Sequence, residues 1–322
     1  MRPPFDITPK ASSSLADIER ILGRHEGSMT STASPQLRRS RRVRTVHASV
    51  SIEGNTLTEE QVTAVLDGKR VIAPERDLRE VENAIACYDK LPTWTASSTR
   101  HLLAAHKVMM LGLVERPGRW RQRAVGVAKG DHITHVPPPT GRVPTLMREL
   151  LLWCKKDTEV PAPIRAAVVH YELEFIHPFE DGNGRMGRLW HSLILHTHHE
   201  LLGQIPIESA IRDRQEDYYA VLGQCDKAGN STRFIEFALE VTLASLTSAA
   251  GQTGSRMSGS ERIQAAREKL GEAAFTRKDY LQQFPGLSPA TASRDLRDAV
   301  ANGTLKREGD KATARYRFAD PA

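Results

Sequence analysis

Twelve consecutive residues, 177–188, combine the side chains and turn residues that anion chemistry requires. They read HPFEDGNGRMGR and lie between two apolar stretches, YELEFI and LWHSLIL. Pro178 and the glycines interrupt a helix, so the sequence predicts a loop that joins two helices. Gly182, Asn183 and Gly184 tolerate a positive φ, and their amides can therefore converge at the start of the second helix.

The charged side chains of this stretch fit a polyphosphate. Arg185 and Arg188 are three residues apart on the first turn of the second helix, so their side chains flank one opening. The positive N-terminal end of that helix lies at the same opening. Asp181 adds a hard oxygen ligand for Mg²⁺, which usually accompanies a triphosphate. His177 can accept a proton near neutral pH. The alternative, a buried corner with a capped helix, explains the glycines but not two arginines and a histidine in one turn.

The stretch resembles the signature of the Fic family, H-P-F-x-[DE]-G-N-G-R-x-x-R, and residues 177–188 match every fixed position. The resemblance covers about residues 40–250. It implies a mainly α fold, namely a Fic-type helical bundle with a β-hairpin flap. Such proteins usually transfer AMP from ATP to a hydroxyl of a target protein. The resemblance therefore implies a nucleotidyltransferase with ATP as substrate, Mg²⁺ as cofactor and a protein target that the sequence does not identify.

Site residues follow from the resemblance position by position. His177 corresponds to the general base that deprotonates the target hydroxyl, and Asp181 to the ligand of a Mg²⁺ ion that bridges the α- and β-phosphates. Phe179 corresponds to an apolar plug that seats the loop in the core. The positions implied to hold the nucleotide phosphates are Gly182, Asn183, Gly184, Arg185 and Arg188.

A second motif lies far upstream. Ser49-Val50-Ser51-Ile52-Glu53-Gly54 resembles the inhibitory motif of the family, [ST]-x-x-x-E-[GN], which begins here at Ser49. The resemblance implies that Glu53 pairs with Arg188 and takes the place of the γ-phosphate, so that the enzyme is autoinhibited. In some relatives this glutamate positions a water that removes AMP, so de-AMPylation stays open. The alternative is that Glu53 is only a carboxylate at a helix end.

A β-hairpin is predicted at residues 125–136, from alternating apolar positions around Lys129-Gly130-Asp131. The resemblance implies that it is a flap that registers the target by strand addition. Tyr218 or Tyr219 is a candidate wall for the adenine, with a plain core position as the alternative. His196, His198 and His199 do not form a zinc motif, because Gly203 stands where the second histidine would be, and we expect partly exposed helix residues there.

Three segments are predicted: an N-terminal helical region with the inhibitory motif (1–73), a Fic catalytic domain (74–250) and, after a Gly/Ser-rich linker, a winged helix-turn-helix (258–322) with a two-stranded wing. Apolar periodicity predicts the following helices before the linker: 15–26, 36–51, 75–91, 97–112, 143–156, 163–176, 185–202, 212–224 and 232–248.

The last segment supports a second hypothesis, a DNA-binding regulator whose Fic domain senses nucleotide or modifies a partner. Its predicted recognition helix carries Arg294 and Arg297, which could meet phosphates and bases, and the wing adds basic residues, including Lys311. Asp295 and Asp298 lie on the same helix and weaken this reading. A protein–protein module is the alternative.

Composition bounds the class of protein. The 322 residues carry a formal net charge of +6 and are 39% hydrophobic, which is typical of a globular protein with polyanion partners. No apolar run reaches the length of a membrane span, and the N-terminus lacks the apolar core of a secretory signal, so we expect no membrane partner. Three widely spaced cysteines favour a cytoplasmic location. Whether the chain forms a homodimer stays open.

Overall fold

The chain divides into two units, one made by residues 1–22 and 41–247 and a smaller one by residues 23–40 and 248–322. The computed structural model describes residues 2–27, 35–124, 127–129, 132–253, 258–271, 273–284, 287–309 and 314–319. Three predicted features therefore lie partly outside the described residues: the loop at 28–34, the hairpin turn at Gly130-Asp131 and the linker at 254–257. In the part that is described, no helix has the length and apolarity to cross a membrane.

Helices dominate the larger unit, and three of them, α1, α2 and α12, continue past its boundaries along the chain. The helices are α1 (Pro9–Gly27), α2 (Pro35–Ser51), α3 (Glu59–Leu66), α4 (Glu75–Lys90), α5 (Thr99–Met109), α6 (Val143–Lys156), α7 (Ala162–Ile176), α8 (Asn183–His198), α9 (Glu200–Gly203), α10 (Ile207–Asp213), α11 (Gln215–Ala228) and α12 (Thr232–Thr253). Two short strands, β1 (Val127–Lys129) and β2 (His132–His135), pair antiparallel as the predicted hairpin.

Helices α7 and α8 form the centre of this unit. Helix α7 is buried on almost every side, and most of α8 is buried as well. Their close approach requires Gly187, because a Cβ there would lie 2.6 Å from the His170 ring. The residues that join the two helices are the predicted loop, so the best-packed helix pair of the unit holds that loop in place.

Several helix boundaries differ from the sequence prediction. Helix α1 begins at Pro9 and not at residue 15, α5 ends at Met109 and not at residue 112, and α12 continues to Thr253 and not only to residue 248. The helix predicted at 185–202 begins at Asn183 and ends at His198, because His199 turns extended and its Nδ1 accepts the Leu201 N–H at 3.1 Å as the N-cap of α9. His199 is therefore a cap and not a helix residue. The helix predicted at 212–224 is two helices, α10 and α11, which are separated by Arg214.

Beyond the ends of α1, α2 and α12, the described residues of the smaller unit form the helices α13 (Gly259–Leu270), α14 (Arg277–Gln283) and α15 (Pro289–Ala301), and the strands β3 (Phe275–Thr276), β4 (Leu305–Glu308) and β5 (Arg315–Phe318). Ser288 caps α15 by accepting the Thr291 N–H, and Pro289 occupies the first helical position, where proline is tolerated. The predicted two-stranded wing is wrong in one respect: β3 adds a third strand beside β5, giving the order β3-β5-β4. The wing turn at Asp310 and Lys311 lies outside the described residues.

Candidate active site

The loop between α7 and α8 has an unusual backbone. Helix α7 ends at Ile176, and its C-cap, His177, adopts φ 50° and ψ 59° and is the only non-glycine residue with a positive φ among those described. Gly182 begins α8 with φ 83°. The Asn183 side chain accepts the Phe179 N–H at 2.9 Å and donates to the Phe179 carbonyl at 3.0 Å. This amide therefore braces the loop, and the predicted contact of Asn183 with phosphate rests on its backbone N–H alone.

Phe179 anchors the loop in the core, as the resemblance implied. Its buried ring stacks on His106 with ring centroids 3.7 Å apart. His106 Nδ1 accepts the Gly118 N–H at 2.8 Å, so Nε2 carries the proton and donates to the Asp181 carbonyl at 3.0 Å. Burial lowers the pKa of His106 to about 4. The neutral His106 ring thus contacts the loop on both sides of its turn, at Phe179 and at Asp181. Sequence reasoning missed this role.

His177 is prepared to accept a proton. Its Nδ1 lies 3.3 Å from the Glu174 carbonyl, which only accepts hydrogen bonds, so Nδ1 carries the hydrogen and Nε2 keeps its lone pair. Burial lowers the pKa of His177 to about 4, although the Glu174 contact opposes it, and nearby positive charges lower it further. The imidazole is therefore neutral at pH 7, in the form that a general base needs.

Arg188 is a buried cation with unfilled donors. It is 1% exposed, and its Nη2 donates to the Ser49 carbonyl at 3.0 Å and to Glu53 Oε1 at 2.6 Å. Its Nε and Nη1 are buried and have no hydrogen-bond partner in the described part of the chain. Burial lowers the pKa of Arg188, but the charge and hydrogen bond of Glu53, together with Tyr218 and Glu174, outweigh burial and raise it. The guanidinium is permanently charged and its remaining donors fit an anion.

Asp181 and Arg185 lie together at the rim of the loop. Arg185 is 3% exposed and forms ion pairs of 3.2 Å with Glu80 Oε1 and with Asp181 Oδ1. Asp181 Oδ1 also accepts the Gly182 N–H at 2.6 Å, and its Oδ2 lies 3.5 Å from Arg76. Glu80 and Arg76 were not predicted from the sequence. The described residues hold no cluster of three metal-ligating side chains, so a Mg²⁺ ion at Asp181 would take its other ligands from phosphates and water.

Glu53 lies against the first turn of α8. Its Oε1 contacts Arg188, and a Cβ added to Gly184 would lie only 2.5 Å from that oxygen. Ser49, at the start of the motif, is fully buried. The contact that the resemblance implied between Glu53 and Arg188 is therefore present, with a carboxylate at a helix N-terminus where an anion is favoured. Its inhibitory role stays a prediction.

The two candidate tyrosines differ. Tyr218 is 1% exposed, donates to Glu174 Oε1 at 3.1 Å and lies 3.1 Å from His170 Nε2, so it belongs to the core behind Arg188. Burial raises the pKa of Glu174 to about 7. Tyr219 is 42% exposed and donates to the Ile52 carbonyl at 3.4 Å, so only Tyr219 remains a candidate for the adenine wall.

The hairpin is tethered to the helices that hold the loop. His135, the last residue of β2, donates through Nε2 to the Phe175 carbonyl at 2.7 Å. Its Nδ1 lies 3.2 Å from Asp226 Oδ2 of α11. These two contacts fix the second strand beside the end of α7. The role of the hairpin as a flap that registers the target stays a prediction.

Comparison with known proteins identifies relatives of the chain. The Fic/DOC family model matches residues 96–195. A crystal structure of a Fic family protein from Desulfovibrio desulfuricans G20 has a TM-score of 0.74 and 40% identity, and the match covers 100% of this chain and 99% of that one. Two curated relatives are a protein adenylyltransferase Fic from Nematostella vectensis, 29% identical over 61% of this chain, and a protein adenylyltransferase fic-1 from Caenorhabditis elegans, 31% identical over 67%. The matches cover 46% and 42% of these two relatives, respectively.

Proposed function

The chain belongs to the Fic/DOC family, and on that premise we propose that it is a protein AMP transferase that uses ATP. The observation that carries the proposal is the buried guanidinium of Arg188, which presents two unfilled donors near the positive end of α8, the helix that follows the loop of the neutral His177. A buried cation with unfilled donors is unfavourable until an anion completes it, and a polyphosphate does so. The names of the relatives support AMP as the transferred group.

The loop residues divide the chemistry among them. Nε2 of His177 takes the proton of the target hydroxyl while that oxygen forms a bond to the α-phosphorus. The bond between the α-phosphorus and the oxygen that bridges the α- and β-phosphates breaks, and pyrophosphate leaves with the negative charge. Arg185, Arg188 and the N-terminus of α8 stabilise that charge. Little covalent work is required beyond positioning, which the packed helix pair supplies.

We assign Mg²⁺ to Asp181. The carboxylate fits this role because its side chain is 40% exposed at the loop rim, while its Oδ1 is fixed by the Gly182 N–H. The ion, when bound, would neutralise the phosphate charge that the arginines do not reach. Asp181 would hold it in place through an oxygen that the loop already orients.

The proposal includes an autoinhibited state. Glu53 contacts the guanidinium that the terminal phosphate of ATP would need, so ATP and Glu53 compete for Arg188. The same carboxylate could orient a water for removal of AMP, and a measured loss of AMP from modified target would support that reverse reaction.

We place this activity in the cytoplasm. All three cysteines are buried and free, and two of their pKa values, those of Cys87 and Cys154, are raised by burial to about 12 and about 11. Such thiols are unreactive core residues, as expected in a reducing compartment.

Labelled ATP tests the proposed reaction directly. The purified protein with a lysate is incubated with ATP labelled at the α-phosphate, and in parallel with ATP labelled at the γ-phosphate. Transfer of AMP places only the α-label on protein and releases pyrophosphate. Protein labelling from the γ-phosphate would contradict nucleotidyl transfer, and labelling from neither would contradict transferase activity.

Asp181→Asn should raise the Mg²⁺ concentration needed for half-maximal transfer by about tenfold. The asparagine keeps an oxygen for the Gly182 N–H, so the loop shape is preserved while the ligand charge is lost. Titration of transfer against MgCl₂ measures the effect. Glu180→Gln, at the neighbouring exposed position, is the matched control. An unchanged Mg²⁺ requirement in Asp181→Asn would remove Asp181 as the ligand.

A second candidate function, DNA binding by a winged helix in the smaller unit, gains support from Asp295. This carboxylate is 4% exposed, forms a two-pronged ion pair with Arg262 at 2.6 and 2.9 Å and accepts the Tyr280 hydroxyl at 3.1 Å. It is therefore neutralised inside the unit. The exposed face of α15 carries Arg294 and Arg297 and, as its acidic residue, Asp298. Because Asp295 is not part of it, this face is more basic than the sequence suggested.

Fluorescence anisotropy with a random duplex tests this candidate. At about 50 mM salt we expect binding that the double variant Arg294→Glu/Arg297→Glu weakens by at least about tenfold, with a shallower salt dependence. Lys269→Glu on α13 is the control for a change of net charge. Absence of binding by the unmodified chain, or an equal loss in the control, would contradict a role of α15 in DNA binding.

A further inference from the structure

Arg121 is a second buried arginine near the loop, and it differs from Arg188 in having only carbonyl partners. It is 3% exposed, and no carboxylate in the described part of the chain forms an ion pair with it. Its Nε donates to the His177 carbonyl at 2.7 Å, and its Nη2 reaches the carbonyls of Ile176, at 3.4 Å, and Pro138. Its Nη1 donates to the Arg123 carbonyl at 3.3 Å. One guanidinium thus joins the end of α7 to the segment that follows the flap.

These contacts complete the hydrogen bonding of the end of α7. The last carbonyls of a helix have no partner inside it and must be satisfied by other groups. Here the Glu174 carbonyl accepts from the His177 ring and the Phe175 carbonyl accepts from the His135 ring. The carbonyls of Ile176 and His177 depend on the Arg121 guanidinium, and that of Pro178 on the Arg121 backbone N–H at 2.9 Å. A cation at a helix C-terminus is also electrostatically favourable.

The position of these contacts matters because His177 is in the left-handed region. A non-glycine residue is disfavoured there and persists only where its surroundings determine the conformation. The carbonyls of Ile176, His177 and Pro178 flank the two dihedrals of His177, and Arg121 contacts all three. The direction in which the imidazole leaves the backbone is therefore set by this arginine.

We propose that Arg121 is the positioning residue for His177, because its guanidinium fixes the left-handed backbone that aims the imidazole at the phosphate site. The proposal rests on the proposed function for its kinetic consequence only. Arg121 does not touch the reacting groups, so it acts through His177. Its spacing from His177, 56 residues, and its place before the flap gave no local signal of this role.

Two charged groups besides Arg121 influence the protonation of His177. His135 lies on the flap side, and its charge, like that of Arg121, disfavours the imidazolium, while the Glu53 carboxylate favours it. Burial dominates all of them and lowers the pKa of His177 to about 4. Removal of the Arg121 charge should therefore move the His177 titration to higher pH, because one of the opposing cations is gone.

Nuclear magnetic resonance tests the charge effect without relying on activity. Histidine labelled with ¹³C at Cε1 is incorporated into the otherwise unmodified chain, and the His177 signal is assigned by its loss in His177→Ala. In the unmodified chain this signal should hardly move between pH 7 and pH 5. When the pH is lowered further, the signal of Arg121→Met should move toward the protonated shift at a higher pH than that of the unmodified chain. Arg119→Met, at an exposed position two residues earlier, should behave like the unmodified chain.

Kinetics test the positioning effect. Arg121→Lys keeps the charge but lacks the planar fork that serves several carbonyls at once. We expect kcat for AMP transfer to fall about tenfold, since misplacement of a reacting group by about 1 Å can cost about 10²-fold. The KM for ATP should stay within about threefold, because Arg121 does not contact the phosphate-binding groups. A residue needed only for folding would lower the amount of active protein without changing the titration of His177.

An unchanged kcat in Arg121→Lys overturns the positioning role. If Arg121→Met does not fold, the kinetic measurement on Arg121→Lys alone decides whether the proposal holds. A His177 titration that is the same in folded Arg121→Met and in the unmodified chain overturns the electrostatic role. Failure of the proposed function has a different signature. In that case no variant transfers AMP, yet the His177 signal still responds to Arg121→Met.

Discussion

Replacement of His177 by alanine should lower AMP transfer by about 10²–10⁴-fold while the affinity for Mg·ATP stays within a few fold. His177 is the group of the loop with a free lone pair and a hydrogen-bonded Nδ1, so no neighbour can take the proton in its place. Its side chain makes no contact with Arg185 or Arg188, and the phosphate-binding groups therefore survive the change. Transfer is measured with α-labelled ATP and binding by calorimetry, both also in the Glu53→Gly background.

The pH dependence of the same reaction identifies the base. His177 acts as a base only when neutral, and its pKa is lowered to about 4, so kcat/KM should fall only as the pH is taken towards 4. Bound phosphates favour the imidazolium, so the acid limb of kcat should lie at a higher pH than that of kcat/KM. His198→Ala, an exposed position at the end of α8, serves as the control. Transfer at an unchanged rate by His177→Ala would remove the proposed mechanism.

The loop could be predicted because its information is local. Gly182 and Pro178 fix the chain direction, and the spacing of Arg185 and Arg188 fixes their side of a helix. The partner groups are distant in sequence and left no such signal. His106 donates to the Asp181 carbonyl, which is 75 residues away in sequence, and its position on α5 is typical of an ordinary helix residue. Contacts of this kind are set by packing of the whole unit.

Local rules also failed where a residue acted outside its usual role. His199 is the N-cap of α9, although Ser, Thr, Asp and Asn are the preferred caps, so the break after His198 could not be predicted from the residue types. Strand β3 has two residues, too few for an alternating pattern. Asp295 shows the opposite case. It shares a face with Ala292, Leu296 and Ala299, all buried, and this period would have placed it inside the unit.

Replacement of Glu53 by glycine should increase AMP transfer, including transfer to the protein itself, by about 10–100-fold. Glu53 is anchored from several sides, since the Ser49 carbonyl shares Nη2 of Arg188 and the Ile52 carbonyl accepts from Gln215 at 3.2 Å. The carboxylate is thus held against the first turn of α8 and does not leave on its own. A hydrogen bond to a charged group contributes about 1.5–3 kcal/mol, which corresponds to that range of ATP affinity.

The same change should lower stability without nucleotide and make it more dependent on nucleotide. Arg188 is buried, so the loss of its one carboxylate partner should cost about 1–3 kcal/mol, moderated because the Glu53 side chain is 26% exposed. Mg·ATP should then raise the melting temperature of Glu53→Gly more than that of the unmodified chain, because stabilisation grows with affinity. Paired thermal melts with and without Mg·ATP measure this difference.

Two further variants separate the charge of Glu53 from its bulk. Glu53→Gln keeps the shape and an oxygen for Arg188 but not the charge, so its transfer rate and ATP-dependent melting shift should fall between those of the unmodified chain and Glu53→Gly. Glu60→Gln, in the first turn of α3, removes an exposed carboxylate and should change neither quantity. Equal ATP shifts in the unmodified chain and Glu53→Gly, with no gain in labelling, would reduce Glu53 to a helix-end carboxylate. A gain of AMP transfer in Glu53→Gly, with a smaller gain in Glu53→Gln, instead requires that the Glu53 carboxylate competes with phosphate for the Arg188 guanidinium.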